Sequence, residues 1–334
     1  MFSTYSVPCS SNGQHMSVGE SKDAEPIPII IDTDIGDDID DAFCLMLAFK
    51  LHKDGVIKLL CVITSGEGSH EKRAELVHSL QLSILGSISV PIYMGSKGGN
   101  AKLSNCNYMP PAAYHDFLKF EENLSSVVDL ILAQAQKVRL VCIGPLDNIA
   151  VLLDRLGDRA RSSLSLYLMG GCFGTSFDGI KDHIAEYNVR KNPDGWRNVV
   201  SHMDATIVPL DIAGDARFKD WELRLRKLPE VFIRMYTSWY RKQKPTGHIL
   251  RGTMPPGERP EMPGKISSVM FDGVALCVAL HPEYAVMVES AVEVTDDGHT
   301  NLIRDGPNKV KIALAWQSTF QFDEWCDRNL TVEM

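Results

Sequence analysis

A chain of 334 residues with 44% hydrophobic content is long enough for one large α/β domain or two smaller ones, with a sizeable core. Its net charge of -9 argues against a general binder of nucleic-acid backbone, which needs basic surface. No apolar run approaches the roughly 18 residues that span a bilayer, so neither nucleic acid nor membrane is expected as a partner.

Residues 1–25 are polar and Ser-rich without an apolar core, which argues against a secretory signal and predicts a flexible tail ahead of one domain over 26–334. Residues 27–31 form a short β-branched run that reads as a buried strand. An acidic stretch follows, then an apolar helical segment over 43–49. A second strand is predicted over 56–64, a helix over 71–85, and a short strand over 91–93. Residues 96–111, rich in Gly, Asn and Pro, read as a loop over the active end. Helix 124–136, strand 138–143, helix 148–156, strand 164–169, helix 193–202 and strand 205–210 continue the alternation. Helical patterns dominate 220–241, a Pro/Gly-rich loop covers 244–264, and a helix is expected over 266–280. Strand-like runs at 285–294 and 310–316 would extend a sheet edge. This pattern specifies an α/β fold: a single Rossmann-like domain with a mostly parallel sheet, flanking helices and a helical insertion.

The eight cysteines are scattered, with no Cys-x-x-Cys pair. That spacing argues against a disulfide framework or structural zinc and fits a reducing cytosol.

The acidic stretch is Asp32-Thr33-Asp34-Ile35-Gly36-Asp37-Asp38-Ile39-Asp40-Asp41. It lies where a strand's C-terminal end passes into a helix's first turn, the usual ligand end of an open α/β sheet. Helix capping accounts for one or two carboxylates there, but six would repel strongly without a cation or protons. Hard oxygen donors suit Ca²⁺ or Mg²⁺ rather than zinc. An EF-hand loop fails, because the position for its glycine is Asp37 and that for its bidentate glutamate is Phe43.

Asp32-Thr33-Asp34-x-Gly36 followed by Asp40-Asp41-Ala42 resembles the signature of the calcium-dependent nucleoside hydrolases, the inosine-uridine nucleoside N-ribohydrolase family. The commoner motif is shorter by two residues between the glycine and the Asp-Asp pair. The likeness recurs in order at Pro91-Ile92-Tyr93-x-Gly95, Ile143-Gly144-Pro145-Leu146-x-Asn148, Met169-Gly170-Gly171, Ala185-Glu186-Tyr187-Asn188 and Val208-Pro209-Leu210-Asp211.

That resemblance implies hydrolysis of a ribonucleoside to ribose and free base, with a small-molecule nucleoside as partner and Ca²⁺ as cofactor. It implies that Asp34 is metal ligand and general base, that Asp41, Asp272 and the Ile143 carbonyl are metal ligands, and that Asp40, Glu186 and Asn188 bind the ribose. It also implies a cytoplasmic enzyme of nucleoside catabolism and purine salvage, assembled as a dimer or tetramer. Many members carry His-Asp where this chain has Phe271-Asp272, the histidine being the proposed proton donor to the leaving base. Phe271 therefore becomes a candidate stacking surface for the base. The family's asparagine after strand two is replaced by Glu67 or Gly68.

Other candidates have bland readings beside them. His248 and the run Tyr236, Trp239, Tyr240, Arg241 read first as packing and solvated loop, and only second as base recognition. His183, close to Glu186 in sequence, reads as a solvated loop residue. Two rival functions remain: a haloacid-dehalogenase-like phosphatase using Asp32-x-Asp34, and a non-catalytic binder of Ca²⁺ and a ribosyl ligand, motivated by Phe271.

Overall fold

The computed structural model describes residues 25–65, 70–95, 117–242 and 266–330. Strand β1 (Ile27–Thr33) leads into helix α1 (Asp40–Lys53), and β2 (Ile57–Thr64) into α2 (His70–Leu85). Strands β3 (Ile92–Met94) and β4 (Leu118–Lys119) precede α3 (Leu124–Leu132). Next come β5 (Val138–Cys142), α4 (Asp147–Leu156), α5 (Ala160–Ser163), β6 (Leu164–Met169), α6 (Tyr187–Lys191), α7 (Pro193–His202) and β7 (Ala205–Val208). Helices α8 (Leu210–Ala213), α9 (Trp221–Leu225), α10 (Glu230–Lys242) and α11 (Phe271–Leu280) follow. Strands β8 (Ala285–Val294), β9 (Thr300–Ile303) and β10 (Val310–Trp316) and helix α12 (Phe322–Leu330) end the described chain.

One sheet takes the order β4-β3-β2-β1-β5-β6-β7-β10-β8-β9. Pairing is parallel from β4 through to β10 and antiparallel only at β10–β8 and β8–β9. The β-branched run of β1 suits its interior place between β2 and β5, because a strand covered on both faces can be apolar throughout. Ile29 and Ile31 face one core layer and Ile30 the other. The first layer holds α1, α2 and the helices from α8 to α12; the second holds α3, α4 and α7.

The expected α/β architecture is present, with several boundaries moved for identifiable reasons. Helix α1 begins at Asp40, not at residue 43, because two aspartates suit the positive end of a first turn. The helical region 220–241 is two helices separated at Pro229, which cannot donate within a helix interior. Residues 266–270 are not helical: Ile266 bridges to Lys219 and the Met270 amide donates to the Ala216 carbonyl at 2.9 Å. Strand β7 stops at Val208 because Pro209, the N-cap of α8, has no amide to donate to a ladder. Strands β4 and β9 had no clear periodic signal in sequence. Nearly all of the expected N-terminal tail, the loops over 96–111 and 244–264, Glu67, Gly68 and His248 lie outside the described residues. Among the described residues no helix is long and apolar enough to cross a membrane.

Candidate active site

From β1 the sheet grows through β2, β3 and β4 on one side and through β5, β6 and β7 on the other. The connection therefore reverses between β1 and β5, and ligands of open α/β sheets bind at such a switch point beyond the strands' carboxyl ends. The acidic stretch leaves β1 here, and Ile143 leaves β5 beside it. The Ile143 amide donates to the Asp32 carbonyl at 2.8 Å, which fixes the two strand ends together.

Two helices buried over most of their surface deliver further carboxylates to this point. Asp40 and Asp41 stand in the first turn of α1, and Asp272 in the first turn of α11. The two helices approach closely where Gly273 meets Phe43: a Cβ on the glycine would lie 3.1 Å from the phenyl ring. As a result, carboxylate oxygens of Asp40, Asp41 and Asp272 come within 4.8 Å of one another, all buried. Thr33 donates its hydroxyl to Asp41 at 2.5 Å.

Asp34 stands at the edge of this group, against Gly144 just past β5. A Cβ at Gly144 would be 2.9 Å from the Asp34 Oδ1, so the glycine keeps that flank clear. Burial pushes the Asp34 carboxyl up to about 7; Arg73 pulls it down, and Asp37 and Glu186 push it further up. Asp40, Asp41 and Asp272 are held well above the usual carboxylate range, first by burial and then by neighbouring carboxylates, Asp34 included. Such an arrangement holds together only if protons or a cation neutralise it. Its donors are hard oxygens with no histidine or thiolate in the trio, a set that fits Ca²⁺ or Mg²⁺.

The remaining carboxylates of the stretch have local partners. Asp32 is fully buried and accepts from the Asn148 amide at 2.8 Å and the Ser65 hydroxyl at 3.2 Å. Its carboxylate is thus engaged by Asn148 and Ser65, apart from the trio of Asp40, Asp41 and Asp272. Asp38 accepts from the Ile39 amide at 2.8 Å, and Asp37 pairs with Arg73 at 3.6 Å. The two residues by which this motif exceeds the commoner one thus sit in a loop braced from α2.

Glu186 caps α6, where its carboxylate accepts from the Val189 amide at 3.2 Å and the Gly171 amide at 3.3 Å. Asn188 donates to the carbonyls of Ile143 at 3.3 Å and Met169 at 3.2 Å. The sequence motif thus brings Asn188 onto the very carbonyl expected to face a metal. Phe271 is buried and meets Phe177 edge-on, with ring centroids 5.8 Å apart. His183 is directed elsewhere, to the Thr300 carbonyl at 2.9 Å and the His299 ring. Tyr236, Trp239 and Tyr240 are core residues, while Arg241 is exposed. The Tyr236 hydroxyl accepts from the Ser268 amide at 3.0 Å and so braces the approach to α11.

Sequence reasoning gave Thr33 and Asn148 no role beyond their places in the quoted motifs, and it did not name Arg73 at all. Arg73 looks like one of several charged residues opening α2. It nevertheless lies on the helix's buried stripe with Leu76, Val77, Leu80 and Ile84, at spacings of three, four, seven and eleven. That periodicity is the signal that could have found it.

Comparison with known proteins agrees with this geometry. The family model described as inosine-uridine preferring nucleoside hydrolase matches residues 29–321. A relative from Oryza sativa subsp. japonica named probable uridine nucleosidase 2 is 25% identical over 87% of this chain and 84% of its own. A plant nucleoside hydrolase, the PpNRh1 enzyme, superposes with a TM-score of 0.71 at 15% identity, over 92% of this chain and 99% of its own. A purine-preferring ribonucleoside hydrolase from Gardnerella vaginalis gives 0.68 at 17% identity, over 91% and 98%. At those identities the structural likeness establishes the fold, while the family match covers most of the chain. The chain therefore belongs to the inosine-uridine preferring nucleoside hydrolase family and is an N-glycosidase acting on ribonucleosides.

Proposed function

We propose that the carboxylate group at the β1–β5 switch point is the catalytic centre and that its cofactor is Ca²⁺. The observation carrying this reading is the convergence of Asp40, Asp41 and Asp272 within 4.8 Å in a buried site. In it Asp34, Asp41, Asp272 and the Ile143 carbonyl hold the cation, and Asp40, Glu186 and Asn188 grip the ribose hydroxyls. A cation bound there supplies the positive charge that acidifies water and fixes vicinal hydroxyls.

The chemistry of the chain's own residues follows from N-glycosidic cleavage, which passes through an oxocarbenium-like transition state. Asp34 takes a proton from the attacking water as the water oxygen bonds to the anomeric carbon. The bond to the base breaks, its electron pair leaves on the base nitrogen, and the base gains a proton from solvent. Phe271 packs on the base and favours purines, whose ring nitrogens accept that proton more readily than uracil does. Glu186, buried and held by backbone amides, presents a fixed acceptor to a hydroxyl. The six described cysteines are free and buried, which supports a reducing, cytoplasmic location. Assembly as a dimer or tetramer completes the reading.

The test is free-base release from inosine, adenosine, guanosine and uridine, with and without a chelator. Chelator-sensitive release from purine nucleosides supports the reading. Nucleoside binding without turnover would instead favour the non-catalytic binder.

A further inference from the structure

We infer that Arg73 is a positioning residue of the active site: from α2 its guanidinium clamps the Asp34–Ile35 backbone and the Asp37 carboxylate, and so sets where Asp34 presents its oxygens. This inference rests on the proposed catalytic centre.

Arg73 is completely buried, which for an arginine demands that its donors be used. One nitrogen, Nη1, donates to the Asp34 carbonyl and to the Ile35 carbonyl, the latter at 2.7 Å. The other, Nη2, meets the Asp37 carboxylate at 3.6 Å. A planar fork holds these three acceptors at once, and a lysine ammonium reproduces neither its spread nor its rigidity. The carbonyls lie immediately beside the Asp34 side chain, so a shift of the clamp moves that carboxylate directly. On its other flank Asp34 is bounded by Gly144, where a Cβ would come within 2.9 Å of Oδ1. The aspartate is thus set between a clamped backbone and a glycine wall.

Asp37 belongs to the segment by which this motif is longer than the common form. A longer loop at the cation site has more conformations to lose, and anchoring it from a buried helix face removes them. Residues that orient ligating carboxylates without touching the ligand commonly change metal affinity or activity by about 10- to 100-fold. Arg73 holds that position here.

The experiment compares wild type with Arg73→Lys and Asp37→Asn in the full chain. It reads calcium affinity by competition with a chelating indicator, hydrogen exchange over residues 34–39, and kcat and KM for nucleosides. For Arg73→Lys we expect calcium affinity weaker by about 10- to 100-fold, faster exchange over residues 34–39, and a fall in kcat with little change in KM. Asp37→Asn, which loses one arm of the clamp, should move the same readouts less. Unchanged exchange in Arg73→Lys overturns the clamp. Faster exchange with wild-type calcium affinity and kcat reduces Arg73 to scaffold and also overturns the inference. Should Arg73→Lys fail to fold, Asp37→Asn decides: unchanged exchange, affinity and kcat reject the inference, and a shift in all three upholds it. A wild type that releases no base from any nucleoside sinks the catalytic reading instead; looser exchange and weaker calcium binding in the variant would still uphold the clamp.

Discussion

Asp32→Asn should make the metal-free protein more stable at alkaline pH and almost unchanged at acid pH. Asp32 is fully buried, and burial raises its carboxyl from 3.8 to about 7, against the help of hydrogen bonds from Asn148 and Ser65. A carboxyl that binds its proton more tightly folded than unfolded contributes stability that is complete below the unfolded value of 3.8. That stability is lost as pH rises through about 7. At about 1.4 kcal/mol per pH unit of separation, the span from 3.8 to about 7 amounts to about 4 kcal/mol. Asparagine keeps the shape and the oxygen that accepts from Asn148, but it cannot ionise. Urea unfolding with chelator present, repeated from about pH 4 to about pH 8, measures the difference. The wild type should lose up to about 4 kcal/mol more than the variant across that range. A difference that stays the same at every pH would refute the reasoning, because it would mean that Asp32 titrates alike folded and unfolded.

Three further outcomes follow from the site. Asp34→Asn should fold normally and lower turnover by about 10²- to 10⁴-fold; near-normal turnover excludes Asp34 as the base. Gly144→Ala should place a methyl against the Asp34 carboxylate and cut kcat by about 10²-fold, with circular dichroism unchanged; wild-type kcat would show that the flank is open. Phe271→Ala should slow purine nucleosides by about 5-fold, for a loss on the order of 1 kcal/mol, and Phe271→His should recover some pyrimidine cleavage. Competition kinetics in which the wild type prefers uridine would contradict the role given to Phe271.

Much of this fold is legible in the sequence because its strands are short, apolar and alternate with helices. The Ile29–Ile30–Ile31 run reads as a strand covered on both faces, and it lies inside the sheet between β2 and β5. The acidic stretch announces a charged site because six carboxylates cannot sit together unaided. Which of them converge is not legible, since it depends on partners distant in sequence. Asp32 is withdrawn by Asn148, 116 residues away, and Asp37 is taken by Arg73. The placement of Asp272 beside Asp40 needs the close packing of α11 on α1, which a glycine permits and no local pattern predicts. Arg73 is hidden for the opposite reason: a charged residue on a helix's first turn is ordinarily solvated, and only its place on the apolar stripe betrays it.

The most direct measurement is free-base release from inosine by the purified protein, followed through removal and return of calcium. Release should cease on chelation, return with added Ca²⁺ in proportion to the metal bound, and be accompanied by a higher melting temperature in the loaded form. Release that persists in metal-free protein, with no thermal shift on adding calcium, would contradict a cation site built by Asp34, Asp41 and Asp272.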